Sequence, residues 1–505
     1  MEKLKELVDL VTRNKIKSVD MIGGLSDTDT KLGQFYESLK NGEIHSDEEA
    51  FELLYTGEEH EKNAYYKLKH TLRERLLNTL YFTDLKHSTY SEIRKAKLSL
   101  QKLIHTHNLL YNKGALVNAI DLAEKSLTTA LFYEFTEEAY YLARRLRAHY
   151  ASHCGQREKF QYYHTITQQQ QEFLEAESLG QGYKNDLVTL YIADKSTKDF
   201  VYHVVNGYLD NLQRKALPGI TCNYYYYLSF LKVAKHMSIN DYAMAGRVCK
   251  EAIETLNSYR FLNYKWILLL SLQYIACCIQ TKNYEEGKAT ILYCQTLFFK
   301  TTYNWFKINE LYFMLCTHTK NYDKALEIFE ETVGNQHFAA QPKSLREPWK
   351  IYEAWLYFLT KSSAITTADS SKNTELDFRI NKYLNEVPIF SKDKRGLNIP
   401  ILISQIMLLL LQKKYDVILD KIEAIAKYKD RYIRKEDNFR SNMFIRMLLE
   451  IPNGYFKRTQ VAQRAGKYKL QLEAMPLDIA NQSRDLEIVP YEDAWELLLL
   501  QLEQK

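Results

Sequence analysis

The tetrapeptide TKNY stands at residues 281–284 and again at 319–322, 38 residues apart. Each copy runs into a stretch of helical character, EEGKATILYC after the first and DKALEIFEETV after the second. In the second stretch Ala325, Leu326, Phe329 and Val333 share one face of a 3.6-residue period, while Lys324, Glu327, Glu330 and Glu331 carry charge. Upstream, Leu311, Tyr312, Leu315 and Cys316 mark the apolar stripe of a preceding helix. A short polar link between two amphipathic helices makes a helical hairpin. One hairpin cannot bury both stripes, so the spacing predicts hairpins that stack and cover each other's faces.

Composition agrees with an all-α chain. The 505 residues include 17 Gly and 8 Pro, about 5% together against an ordinary share near 12%. The first Pro is Pro218. Both residues disfavour helix interiors, so their scarcity permits long helices. The chain also holds 39 Tyr, a residue that buries its ring in a helix seam while its hydroxyl reaches a polar partner. Seven Cys occur without a CxxC pair, and six of them lie at 222–316 inside apolar helical patterns. They read as buried thiols in a reducing compartment. The opening MEKLKELVDLVTRNK has no apolar core of the secretory kind. The longest apolar runs, ILLLSL at 267–272 and IMLLLL at 406–411, are far shorter than a membrane span. The expectation is a soluble, cytoplasmic protein.

The repeated unit resembles the tetratricopeptide repeat (TPR). The resemblance rests on a turn aromatic, a small residue three positions later and an apolar or aromatic residue four beyond that. Tyr322, Ala325 and Phe329 match it, as do Tyr284, Gly287 and Ile291 one hairpin earlier. Tyr242, Ala245 and Cys249 match earlier still, followed by Ala252. Two partial copies are Tyr415 with Ile418 in the small slot, and residues 113–127 with Ala119 and Ala123. The small residue lets the two helices of a hairpin cross closely. The turn tyrosines are 42 and 38 residues apart, longer than the family period of 34. The family's early Trp, its Gly and its closing Pro are mostly missing. The resemblance implies an all-α, right-handed TPR-like α-solenoid of stacked helical hairpins.

Residues 1–57 read as an N-terminal helical extension, 58–361 as the solenoid, and 376–505 as C-terminal helical repeats with a capping helix. Within the first segment, two short helices flank the polar link GGLSDTDTKLG, and Ser46 with Glu49 forms a capping box. A long helix is expected over 58–82, with Ala64, Leu68, Leu72, Leu76 and Leu80 in one row. The polar stretch 362–375, SSAITTADSSKNTE, reads as a surface loop or hinge. Helices resume near residue 376, interrupted by Pro388 and Pro400, with a turn at IPNGY, 451–455. Pro490 opens the closing apolar helix, which is expected to cover the last open face of the array.

No phosphate loop, dinucleotide fingerprint, HExxH or GxSxG occurs in the sequence. His149 and His153 lie at a spacing that could share a metal with Cys154, but the motif lacks a general-base Glu. His105 and His107 are two apart and diverge on a helix. No catalytic residue, metal or cofactor is assigned. In the TPR register, Tyr227, Phe230, Ala234 and Met237 line the concave face at one repeat. Lys307, Glu310, Met314 and His318 line it further on. Such a groove suits a peptide or helix of a protein partner.

Charge concentrates late in the chain. Residues 426–470 hold 12 Lys or Arg against 4 acidic residues, a net +8 within a chain of +5. Arg431, Arg434, Lys435, Arg440, Lys457 and Arg458 form the candidate basic patch, suited to a nucleic-acid backbone or an acidic protein face. The leading expectation is a non-catalytic scaffold, adaptor or regulatory subunit. The alternatives are a nucleic-acid-associated protein using residues 427–469, and a peptide-responsive sensor hinged at 362–375.

Overall fold

A computed structural model describes residues 1, 4–5, 8, 30–55, 59–80, 91–153, 155–193, 198–215, 217, 219–365, 378–386, 398–432, 439–475 and 487–502. Among these residues the structure is helical throughout, with no strand. Packing divides the chain into Met1–Gln171 and Glu172–Lys505, the division falling inside one long helix.

The first unit holds α1 (Lys31–Lys40), α2 (Asp47–Leu54), α3 (Lys62–Leu80), α4 (Glu92–Asn112), α5 (Leu116–Phe132), α6 (Thr136–Ser152) and the start of α7 (Arg157–Ala193). Two separate cores support it, one around Phe35, Leu72 and Leu76, the other around Leu127, Leu142 and Leu146. Ser46 caps α2 as expected, accepting from the Glu49 amide at 3.1 Å. The Glu49 carboxylate accepts from the His45 amide at 2.5 Å, one residue before the usual box partner. α3 is shorter than the sequence predicts, because a 3₁₀ turn occupies Glu59–Glu61. Ala64 is exposed, and the buried row runs through Tyr65, Leu72 and Leu76 instead. α1 begins inside the expected link, whose residues 23–29 lie outside the described residues, as do 366–375 of the expected hinge.

The second unit continues through α8 (Lys198–Gln213), α9 (Cys222–Ser238), α10 (Tyr242–Asn257), α11 (Tyr264–Gln280), α12 (Tyr284–Thr296), α13 (Tyr303–His318), α14 (Tyr322–Val333) and α15 (Lys343–Lys361). It ends with α16 (Ile380–Glu386), α17 (Asn398–Leu411), α18 (Tyr415–Tyr432), α19 (Phe439–Asn453), α20 (Arg458–Glu473) and α21 (Tyr491–Leu499). Pro400 is absorbed in the first turn of α17, where a missing amide costs little. From α8 to α15 each helix packs on its sequence neighbours, the pattern of stacked hairpins. One core runs from Val233 to Leu502 and contains Trp305, Trp349, Trp355 and Trp495.

The TKNY repeat now has a geometric explanation. Thr281 closes α11, Lys282 adopts a left-handed φ of 54°, Asn283 opens α12, and Tyr284 is its first residue. The Asn283 amide donates to the Cys278 carbonyl at 2.9 Å, and the Lys282 amide to Ile279 at 3.2 Å. These are the two bonds of a Schellman stop, overlapped with the next helix's N-cap. In the second copy Lys320 has φ 60°, and the Asn321 amide donates to Cys316 at 2.8 Å. The same turn recurs at Gly114, Glu134, Asn240 and Lys413, each two residues before a helix start. A left-handed φ strains a side chain that bears a Cβ. Lys282→Gly is therefore expected to stabilise the second unit by about 0.5–1 kcal/mol, net of glycine's greater freedom when unfolded. An unchanged or lower urea midpoint would show that this turn carries no such strain.

α10, α12, α14 and α18 all begin at the tyrosines read from the sequence. Three residues on, Ala245, Gly287, Ala325 and Ile418 are buried, and Ala119 holds the same position in α5. At Gly287 a Cβ would come within 2.6 Å of a Leu315 methyl and 3.1 Å of the Cys278 Cβ. The small slot thus reflects close approach of α12 to both α11 and α13.

The C-terminal helix does more than cover an end. α21 packs on α20, and Tyr491 stacks on Phe444 of α19 at 4.3 Å. Asp493 pairs with Lys320, in the turn between α13 and α14, at 2.7 Å. Gln501 donates to Ser362, at the end of α15, at 3.2 Å. The segment therefore ties together elements more than 130 residues apart in sequence.

Candidate functional site

The first helices α9, α11 and α13 touch in succession, Tyr226 of α9 stacking on Trp266 of α11. α11 packs directly on α13, whereas no comparably close packing joins α9 to α11, α13 to α15, α10 to α12 or α12 to α14 among the described residues. The residues expected to line that layer fall into two groups. Phe230, Met237 and Lys307 are partly open to solvent. Tyr227, Ala234, Met314 and His318 are buried, so they belong to the packing and not to an open surface.

Tyr227 shows how the burial arises. Gly180 of α7 lies against Tyr227, where a Cβ would be 2.8 Å from the tyrosine Cβ. Neighbouring Tyr226 stacks on Trp266 at 3.9 Å, and the indole donates to Asn223 at 2.9 Å. Asn223 and Thr221 in turn donate to Glu177 at 3.1 and 2.6 Å. Glu310 is held by an ion pair with Lys307 and accepts from the buried Tyr352 hydroxyl at 3.3 Å. Its half-buried carboxylate braces α13 against α15.

Sequence reading missed two cations in this region. The Lys265 amine sits over the Trp266 ring at 4.2 Å. Burial and then the like charge of Lys184 lower its pKa. Neither lysine has a carboxylate partner among the described residues. Lys265 precedes a tryptophan at the start of a first helix, and that placement was the available signal.

His318 is closed off by the C-terminal segment, its Nε2 lying 2.6 Å from the Glu487 carbonyl oxygen. Burial pushes its pKa down to about 4, more than that hydrogen bond restores. The folded chain thus holds His318 neutral while the unfolded chain protonates near pH 6.5. Stability from this group is complete above pH 6.5 and is lost as pH falls toward 4. Between pH 7 and 5 the loss is expected to be about 2 kcal/mol. His318→Gln should flatten that part of the stability profile relative to the parent, measured by urea midpoints. Parallel profiles would contradict the assignment. Burial raises the pKa of Glu487, which acts in the opposite sense but is common to both chains.

The basic segment is less open than its composition suggests. Arg440 is fully enclosed, which corrects its place in the candidate patch. Its Nε and Nη2 donate to Glu487 at 2.7 and 2.9 Å, and its Nη1 and Nη2 to Glu492 at 2.7 and 2.6 Å. Arg464 pairs with Glu450 at 2.9 Å, and Lys469 with Glu496 at 2.5 Å. Three of these acids follow residue 470, so part of the segment's charge is offset from outside it. Lys457 is exposed and Arg458 partly so. Arg434, Lys435 and the Arg431 side chain lie outside the described residues.

The histidine cluster shows packing roles. His149 is buried and stacks on His153 at 5.4 Å, while Cys154 lies outside the described residues. His107 is buried with Nδ1 2.8 Å from the Ala119 carbonyl oxygen. The six cysteines at 222–316 are buried thiols, and burial pushes Cys278 and Cys316 up to about 12. Among the described residues no group of three or more His, Cys, Asp or Glu could hold a metal ion. No helix there is long and apolar enough to cross a membrane. No family model, curated protein or solved structure matches this chain.

Proposed function

We propose that this protein is a non-catalytic scaffold, adaptor or regulatory subunit, built as a divergent, right-handed TPR-like solenoid. It holds a peptide or helix of a partner protein along the layer formed by α9, α11 and α13. The observation that carries the reading is the repeated hairpin turn with a small residue three positions into α10, α12 and α14. Phe230 and Met237 offer apolar contact along the layer, and Lys307 offers charge. Lys184 and Lys265 add cations without carboxylate partners among the described residues, so an acidic segment fits best.

The test is purification from native lysate with and without nuclease. A protein partner that stays bound after nuclease supports the proposal. Loss of all bound material on nuclease treatment would overturn it in favour of nucleic-acid association.

A further inference from the structure

Helices that run back and forth put alternate connections at the same end of a stack. From α8 to α15 one end therefore carries the α8–α9, α10–α11, α12–α13 and α14–α15 connections, residues 214–221, 258–263, 297–302 and 334–342. Side-chain bonds tie this end together. The Tyr259 hydroxyl donates to the Ile220 carbonyl at 3.5 Å, the Tyr293 hydroxyl to Asn257 at 3.2 Å, and the Asn335 amide to the Lys300 carbonyl at 3.0 Å. The four connections read RKALPGIT, SYRFLN, LFFKTT and GNQHFAAQP, with Arg214, Lys215, Arg260 and Lys300 and no acidic residue. Large apolar side chains stand open among these cations. Ile220 is 59% exposed and Phe299 63%, and Leu262 and Tyr303 are exposed as well. Glu175 and Glu331 reach this end from neighbouring helices and pair with Lys215 at 3.5 Å and Lys300 at 2.7 Å. Arg214 and Lys343 are exposed at the two sides of the row. The opposite end differs in charge: its turns read IND, TKN and TKN, and Glu285, Glu286 and Asp323 follow directly.

We propose that this end of the second unit docks on the surface of an anionic lipid bilayer. The row of connections spans roughly 30 Å, at about 10 Å between neighbouring packed helices. Its apolar residues stand on separate connections with cations between them. A protein partner would have to match each one in place. A bilayer interface takes up Ile, Leu, Phe and Tyr side chains at any lateral position, while anionic headgroups answer Arg and Lys. The contact is peripheral: side chains enter the interface and the helices stay outside it. The inference does not rest on capture of a peptide along α9, α11 and α13.

The test is co-sedimentation of the full chain with vesicles of phosphatidylcholine alone and of phosphatidylcholine mixed with phosphatidylglycerol. Binding to the anionic vesicles is expected to be at least about tenfold stronger and to weaken as salt is added. Ile220→Ser with Phe299→Ser should weaken it at least about tenfold, and so, separately, should Arg214→Gln with Lys343→Gln. Ile239→Ser, at the opposite end, should leave it unchanged. All five side chains are exposed, so the urea midpoints should stay with the parent. The proposal is overturned if neither vesicle binds, if both bind alike, or if neither double variant weakens binding. It is equally overturned if light scattering shows a dimer of the free chain that Ile220→Ser with Phe299→Ser dissolves, which would assign this end to a second copy.

Discussion

Arg440→Met is expected to destabilise the second unit by about 3–5 kcal/mol, because it strands the buried Glu487 carboxylate. Both side chains are fully buried, and Glu492 completes the network at 29% exposure. Burial, and then the like charge of Glu492, drives the Glu487 pKa up, and the Arg440 bonds oppose that rise. For Glu492 burial also pushes upward, but the Arg440 bonds prevail and its pKa is lowered. Removing the guanidinium leaves the desolvation of Glu487 opposed by the Tyr491 amide, which donates to its carboxylate at 3.1 Å. Adding Glu487→Gln to Arg440→Met should recover part of the loss, since the stranded charge is then gone. All five tryptophans lie in the second unit, at 266, 305, 349, 355 and 495. Tryptophan fluorescence in a urea titration therefore reports this unit alone. A single substitution costing less than about 1 kcal/mol would place Arg440 in contact with water.

Gly287→Leu should cost about 2–3 kcal/mol by overpacking the α11–α12–α13 contact. The sign is diagnostic. Helix propensity alone favours replacing a helical glycine, by roughly 1 kcal/mol for alanine. Gly182, in α7, has open space where a β-carbon would stand, with nothing within 4 Å, and so serves as the comparison. Gly182→Ala is expected to stabilise slightly, while Gly287→Leu destabilises, in the same fluorescence assay. Stabilisation at both sites would mean that the hairpins do not approach as closely as Leu315 and Cys278 indicate.

The hairpins were legible in the sequence because their signals are local. A Schellman turn needs a left-handed residue, an N-cap and a helix start within three positions, and TKNY writes all three. The small residue follows at fixed distance, so Ala245, Gly287 and Ala325 could be found without knowing their neighbours. The candidate groove was legible only in part. Phe230, Met237 and Lys307 hold partly open positions, but His318 is closed by a segment 169 residues later. No local pattern encodes which turn receives that segment. Arg440 was similarly misplaced among its basic neighbours. Its signal was helical phase, since Phe444, Met447 and Leu448 follow on the same buried face. Charge counting is blind to phase.

Phe230→Ala combined with Lys307→Ala tests the partner-binding reading; Phe230 also packs on a core cluster and Lys307 pairs with Glu310, so the urea midpoint of the variant is measured beside its binding. The measurement is the amount of nuclease-resistant partner protein retained by this variant and by the parent chain, at matched far-UV helical signal. The expected result is loss of most retained partner from the variant. Equal retention by both chains would contradict capture along the layer formed by α9, α11 and α13.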